Sequence, residues 1–163
     1  MAEIEFRDLA PGDAGWLIEQ HAMLYAADEG FDASFEALVA RILADFIDHR
    51  RVPVERAWIA WDGNTRLGSI FCVHGPDINT AKLRLFLLVP EARGRGLGRQ
   101  MLTLCLNHAR SHGFKRLTLW THESHRAACA LYEKAGFTCN SSKPVRSFGV
   151  DLIEQEWTKD LTA

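Results

Sequence analysis

Three glycines and three arginines fall within seven residues, Arg93-Gly94-Arg95-Gly96-Leu97-Gly98-Arg99, shortly after the apolar run Leu85–Val89 and Pro90. A turn of this composition that opens a helix aims several unpaired backbone N–H groups at one point, and the helix dipole adds partial positive charge there. Glycine permits φ > 0 and lets a bulky anion approach the main chain without a Cβ in the way. Arg93, Arg95 and Arg99 add fixed positive charge. A diphosphate is the natural guest. Two other phosphate-binding patterns do not fit. No Gly-Lys-Ser/Thr follows, as a Walker A loop requires, and glycines at two-residue spacing after a meander are not the dinucleotide fingerprint.

The elements that must position this turn follow from periodicity. Ile4–Asp8 alternates as a short strand, and Pro11-Gly12-Asp13 ends it and offers Asp13 as a helix N-cap. Trp16, Leu17, Gln20 and Leu24 predict a helix to about Tyr25, followed by an acidic connection, Asp28-Glu29-Gly30-Phe31-Asp32. Phe35, Leu38, Val39, Ile42, Leu43, Phe46 and Ile47 predict a second helix, capped by Asp32 or Ser34. Arg56–Trp61 and Arg66–His74 flank the hairpin signal Asp62-Gly63-Asn64. Thr80–Val89 is a third strand in this run, and its apolar end reads as buried on both faces. After the glycine turn, Met101, Leu102, Cys105, Leu106 and Ala109 predict a helix stopped by Gly113. Arg116–Thr121 is a strand, and Ala128, Leu131, Tyr132 and Ala135 line a helix stopped by Gly136. Thr138–Cys139 begins a short extended piece, and Asp151–Leu161 is a last strand. The order β-α-α-β-β-β-α-β-α-β-β predicts one α+β domain over residues 1–163, a mixed central sheet flanked by helices.

Composition narrows the class. The chain has 163 residues, 47% hydrophobic and 25% charged, and is long enough to bury a core without staples. No apolar run reaches the roughly 20 residues of a membrane span, and the N-terminus lacks the basic and apolar regions of a signal peptide. A cytoplasmic location is the expectation. Cys72, Cys105, Cys129 and Cys139 show no zinc or disulfide spacing and read as reduced thiols, so no metal is expected. Net charge is −2, yet residues 1–63 hold 5 basic and 13 acidic groups, whereas residues 64–122 hold 9 and 2. That asymmetry points to two ligands of opposite charge, or to ordinary surface variation. With pI ≈ 6.4 and no DNA- or RNA-reading motif, no nucleic-acid partner is expected.

Arg93-x-x-Gly96-x-Gly98 after a strand ending in Val89-Pro90, the run Leu131–Phe137 and the element order together resemble the GNAT superfamily of acyl-CoA-dependent N-acetyltransferases. The resemblance covers nearly the whole chain. Tyr25…Gly30-Phe31-Asp32, Thr118–Thr121 and Ser147–Leu152 are similar to the GNAT domain fused behind MarR-type DNA-binding domains, although no helix-turn-helix is read here. The resemblance implies acetyl-CoA as co-substrate and transfer of its acetyl group to a primary amine of a small molecule or peptide. It assigns the backbone of Leu87, Leu88 and Val89 to the pantetheine arm, and Arg93, Gly94, Arg95, Gly96, Leu97, Gly98 and Arg99 to the pyrophosphate. Tyr132 matches the tyrosine that faces the CoA sulfur as general acid, and His125 stands where many members place an asparagine contact to CoA. The connection between the first two helices commonly borders the acceptor, which implicates Tyr25, Asp28, Glu29 and Phe31. Its acidity leans toward a cationic amine.

From helix pattern alone Tyr132 reads as a buried aromatic; only the resemblance makes it catalytic. A general base stays open among Glu29, Asp28, Glu123, His21 and water, because the strand before the turn offers Lys82 and Arg84 but no carboxylate. Glu29 is taken as the working choice. A non-catalytic acyl-CoA sensor or partner-binding module of the same fold is the alternative, and the chain is expected to be a monomer or homodimer.

Overall fold

The computed structural model describes residues 3–162, so the expected domain limits, residues 1 and 163, lie outside the described residues. Seven strands form one sheet in the order β1-β2-β3-β4-β5-β7-β6. They are β1 (Ile4–Arg7), β2 (Arg56–Asp62), β3 (Thr65–His74), β4 (Thr80–Leu88), β5 (Arg116–His122), β6 (Thr138–Ser147) and β7 (Val150–Asp160). Every neighbouring pair is antiparallel except β4 and β5, which run parallel. The mixed sheet and α+β class are as the sequence predicts. No helix among the described residues is long and apolar enough to cross a membrane.

Helices α1 (Asp13–Glu29) and α2 (Ala33–His49) cover one face. Leu17 of α1 and Val39, Leu43 and Phe46 of α2 bury themselves against Ala57, Ile59 and Phe71. Helices α3 (Leu97–Ser111) and α4 (Arg126–Lys134) cover the other. There Met101, Leu102 and Cys105 meet Ile70, Cys72, Leu83, Leu117 and Leu119. Strand alternation makes this division work: Ala81 and Leu83 face α3, which turns Lys82 and Arg84 toward α2.

Four local expectations are corrected. Gly12, not Asp13, caps α1; Asp13 is buried and accepts from Ala10 N and from Arg66 Nε, both at 2.8 Å. The first helix continues past Tyr25, since Ala26 and Ala27 are strong helix formers, until Gly30 ends it at φ 74°. Asp28 and Glu29 therefore stand on the last turn of α1 rather than in a loop. β4 is not buried on both faces: Leu85, Phe86 and Leu88 are half-exposed, because only Thr80–Lys82 pair with β5 before the strands part. β6 is ten residues long rather than a short piece. Its polar run, with Pro144, sits on the sheet edge, where no hydrophobic alternation is needed and proline is tolerated.

A bulge shapes β4 at the point of divergence. The register against β3 slips between Ser69 and Phe71, Leu85 adopts φ 49°, and Ser69 Oγ donates to the Leu85 carbonyl at 2.6 Å. Gly68 lies opposite, where any Cβ would collide with the Leu87 carbonyl oxygen. Gly68→Ala is therefore expected to destabilise the protein by about 1–3 kcal/mol through overpacking, seen as a fall in melting temperature of several degrees; an unchanged melting curve would contradict this close approach.

One buried histidine makes stability depend on pH. His21, 3% exposed, donates from Nδ1 to the Leu17 carbonyl (2.7 Å), which leaves Nε2 as an unpartnered lone pair. Burial pushes it down to about 4 despite the Leu17 bond. Below pH 6.5 the unfolded chain takes up a proton that the folded chain refuses, so stability falls between pH 6.5 and about 4. At full extent this is about 3 kcal/mol for His21. Denaturant titrations of His21→Asn should show a shallower fall over that window, and a slope equal to wild type would rule out the buried neutral ring.

Candidate active site

The parting of β4 and β5 leaves a wedge whose upper half opens onto the start of α3. Gly96, at φ 75°, is the N-cap of α3 and supplies no side-chain cap, and the first bond of the helix runs from Gln100 N to Gly96 O. The N–H groups of Leu97, Gly98 and Arg99 thus precede the helical ladder without helix partners. A cavity of about 670 Å³ lies against them, lined by Phe86, Leu87 and Leu88 of β4, by Gly94, Gly96 and Gly98, by Arg93 and Arg99, and by the first turns of α4. Nothing stands within 4 Å of a Cβ placed on Gly94 or Gly96, so a side chain there would project into open space at this turn. The donors, charge and room together suit a diphosphate with a long flexible arm.

Not every residue expected at this groove lines it. Val89 is buried and gives its N–H to the Leu67 carbonyl of β3 at 2.9 Å. Antiparallel alternation turns the Leu87 polar groups toward β3 as well, leaving those of Leu88 on the open side. Consistently, the Leu88 carbonyl accepts from Arg93 Nε at 3.3 Å. The Leu97 side chain is in the core beneath α3. Arg95 is exposed and off the groove wall, with Nη2 on the Glu91 carbonyl at 3.3 Å.

A second cavity, about 280 Å³, occupies the lower part of the wedge between the sheet and α2. Tyr25, Phe86, His125 and Ala128 border both cavities, so the two meet at those four residues. Tyr132 faces the smaller one and is 4% exposed, wedged among Phe86, Phe137 and Trp157. Its burial, with the Tyr25 phenol nearby, holds the hydroxyl far above the usual phenol range and therefore protonated. Burial and the Glu29 charge push Tyr25 up to about 12. The histidines on this wall are uncharged near neutrality. Burial takes His21 to about 4, and burial with neighbouring His125 takes His122 to about 4. Burial also lowers His125, against the pull of Glu29 and Asp28.

Glu29 is not free to act as a base on the acceptor. Its Oε1 is 3.2 Å from His125 Nε2, and Ser124 Oγ donates to its Oε2 at 2.9 Å. With His125 neutral, Nε2–H donates to Glu29 and Nδ1 accepts from Thr121 Oγ1 at 3.5 Å, a single consistent tautomer. Asp28 and Glu29 line the larger cavity, and Asp32 is spent capping α2 at Ser34. The acidity that suggested a cationic acceptor thus lies outside the smaller cavity. Phe31 is buried behind the wall, packed on Tyr25, Phe35, His122 and Phe148, and touches neither cavity. Glu123 borders a different hollow, beside the β6–β7 hairpin. Residues that the sequence did not single out for the site are Phe86, Trp120, His122, Ser124, Phe148 and Glu154. Period-two alternation on β5 would have flagged Trp120 and His122 together; Glu154 lies on the expected last strand, and Phe148 on the turn that joins it to β6, whose length was not foreseen.

Comparison with known proteins bears on family and fold. The chain is 37% identical to a mycothiol acetyltransferase from Geodermatophilus obscurus over 87 residues, which is 50% of this chain and 28% of that protein. It therefore spans under a third of the length of that relative. A GNAT-family protein from Desulfovibrio desulfuricans superposes with TM-score 0.77 at 18% identity, over 98% of this chain and 99% of that one. A spermidine N-acetyltransferase from Vibrio cholerae, solved with CoA and spermine, gives TM-score 0.71 at 17% identity over 98% and 96%. The sequence profile of the acetyltransferase (GNAT) family matches residues 18–137, and the chain belongs to that family.

Proposed function

We propose that this chain transfers the acetyl group of acetyl-CoA to a primary amine by direct attack. One observation carries the reading: a groove with free amide donors at the α3 N-terminus joins a smaller cavity at Tyr25, Phe86, His125 and Ala128, beside buried Tyr132. The groove takes the coenzyme and the smaller cavity takes the amine. A fold neighbour that carries CoA and spermine supports the two-ligand layout. A sensor without chemistry would have no need of the second cavity.

In the reaction the amine nitrogen attacks the thioester carbonyl, the C–N bond forms and the C–S bond breaks. The thiolate leaves to become the thiol of CoA, and the amine gives up a proton. Keeping a lysine-like amine neutral at pH 7 costs roughly 4–5 kcal/mol, so the site must ease that loss. Glu154 is the one carboxylate among the residues lining the smaller cavity, paired at 3.8 Å with Lys143, and with water it receives the proton.

Tyr132 acts by hydrogen bonding. A phenol held above its ordinary range is a weaker acid than a thiol of pKa near 8.5, so outright protonation of the thiolate is uphill. Donation to the developing negative charge needs no such transfer and works well in a dry site. Glu29 acts through His125, fixing its ring where the two cavities meet. Most of the acceleration comes from holding two substrates in line.

Two substitutions separate binding from chemistry. Gly96→Val should remove CoA binding by calorimetry while the circular dichroism spectrum stays native, because valine disfavours φ 75° and would project into the open space at the turn. An unchanged titration would refute the groove assignment. Tyr132→Phe should lower kcat by about 10- to 1000-fold, in the range for loss of one preorganised donor, and leave CoA affinity within a few-fold. Wild-type turnover would remove Tyr132 from the mechanism.

A further inference from the structure

The smaller cavity is charged, and its charges are sorted. Lys82 and Arg84 stand two residues apart on β4, on the same face, and both line it. Both are half-buried, and among the described residues neither makes a hydrogen bond or an ion pair. Lys82 Nζ lies 5.7 Å over the centre of the Trp120 ring. Burial and the Arg84 charge hold the Lys82 ammonium below its ordinary range, with Glu156 too weak to restore it. Burial likewise lowers Arg84, which borders a neighbouring hollow as well and feels the opposing pull of Asp45 and Glu55 that line it. Two partly desolvated cations side by side are costly unless something anionic joins them.

The opposite sign sits at the other end. Sheet register pairs Lys82 with Thr118 and Glu154 with His122. Thr118 and His122 are four residues apart on β5, about 13 Å along the strand. Glu154 therefore lies at the end where His122 adjoins His125, which borders the coenzyme groove, and the cations lie where the wedge closes. Between them the walls are apolar or aromatic: Phe35, Leu38, Ile42 and Phe148.

We infer that the acceptor is a zwitterionic amino acid with an apolar side chain, its amine at the Glu154 end and its carboxylate held by Lys82 and Arg84. The inference rests on the acetyltransferase reading and sharpens it. A polyamine is disfavoured, because its second ammonium would meet Lys82 and Arg84. A free carboxylate both neutralises the cation pair and points the amine at the junction of the cavities.

Matched pairs test it. Release of the CoA thiol is followed with L-phenylalanine against phenethylamine, L-leucine against isoamylamine, and spermidine. The amino acid of each pair should show kcat/KM at least about tenfold above its decarboxylated partner, as expected for one charge-assisted contact. Arg84→Gln and Lys82→Gln should each raise KM for the amino acid and shrink that preference by about tenfold. Equal or reversed preference, or spermidine as the better substrate, overturns the inference while leaving acetyl transfer intact. Binding of N-acetyl-L-phenylalanine and N-acetylphenethylamine is also measured by calorimetry, with and without CoA. Tighter binding of the carboxylate, lost in Arg84→Gln, supports the inference even if turnover is not seen; equal binding sinks it. Failure of CoA itself to bind would fall on the acetyltransferase reading instead, since the cavity titration does not require the coenzyme.

Discussion

The architecture depends on the brevity of one parallel pairing. β4 and β5 share only Thr80–Lys82 against Arg116–Thr118, after which β5 stays with β7 over its whole length and β4 stays with β3. From there the open side of β4 has no strand to satisfy it, and main-chain polar groups without partners are costly once buried. The bulge at Leu85 and the close approach of Gly68 fix where the divergence starts. The wedge is thus a demand for ligand atoms built into the sheet. Both cavities, and the junction between them, follow from it.

Electrostatics then divides the wedge into parts of different character. Above, helix-end amides, Arg93 and Arg99 make an anion-attracting mouth. In the middle, His21, His122, His125, Tyr25 and Tyr132 are all uncharged near neutrality, each pushed that way by burial. A belt of neutral, hydrogen-bonding groups, with Glu154 at its edge, is a suitable medium for a step in which charge develops on sulfur and leaves nitrogen. Below, Lys82 and Arg84 restore positive charge. The Glu29–His125 pair joins the end of α1 to the start of α4 across the boundary, so helices from opposite faces of the sheet are tied at the junction.

Much of this was legible in the residues. The glycine turn pointed to an anion site, and the structure puts Arg93 and Arg99 on the groove wall and Arg95 off it. The element order came from periodicity, which is strong in α2 and α3, where apolar residues recur for three turns or more. What stayed hidden was tertiary. Leu85–Leu88 has the composition of a buried strand, and only the early loss of β5 shows that it borders an open groove. Val89 was one residue from the open side, a difference set by which residue bonds to Leu67. Asp28 and Glu29 could be seen as acidic but not as helical, since Gly30 and not Tyr25 ends α1. Only the start of β6 was visible, at Thr138–Cys139, because an exposed edge strand needs no apolar alternation. Lys82 and Arg84 were visible as the absence of a carboxylate; their meaning required seeing that both border one cavity.

The central claim is that a coenzyme fills the wedge with its phosphates on the α3 amides and its sulfur beside Tyr132. A crystal structure of the protein grown with CoA tests it in one step. The account predicts pyrophosphate oxygens within hydrogen-bond distance of the N–H groups of Leu97, Gly98 and Arg99, the pantetheine arm running along Leu88, and the sulfur at the junction of the two cavities. CoA seated elsewhere on the molecule, or a wedge filled only by water beside saturating CoA, would contradict it.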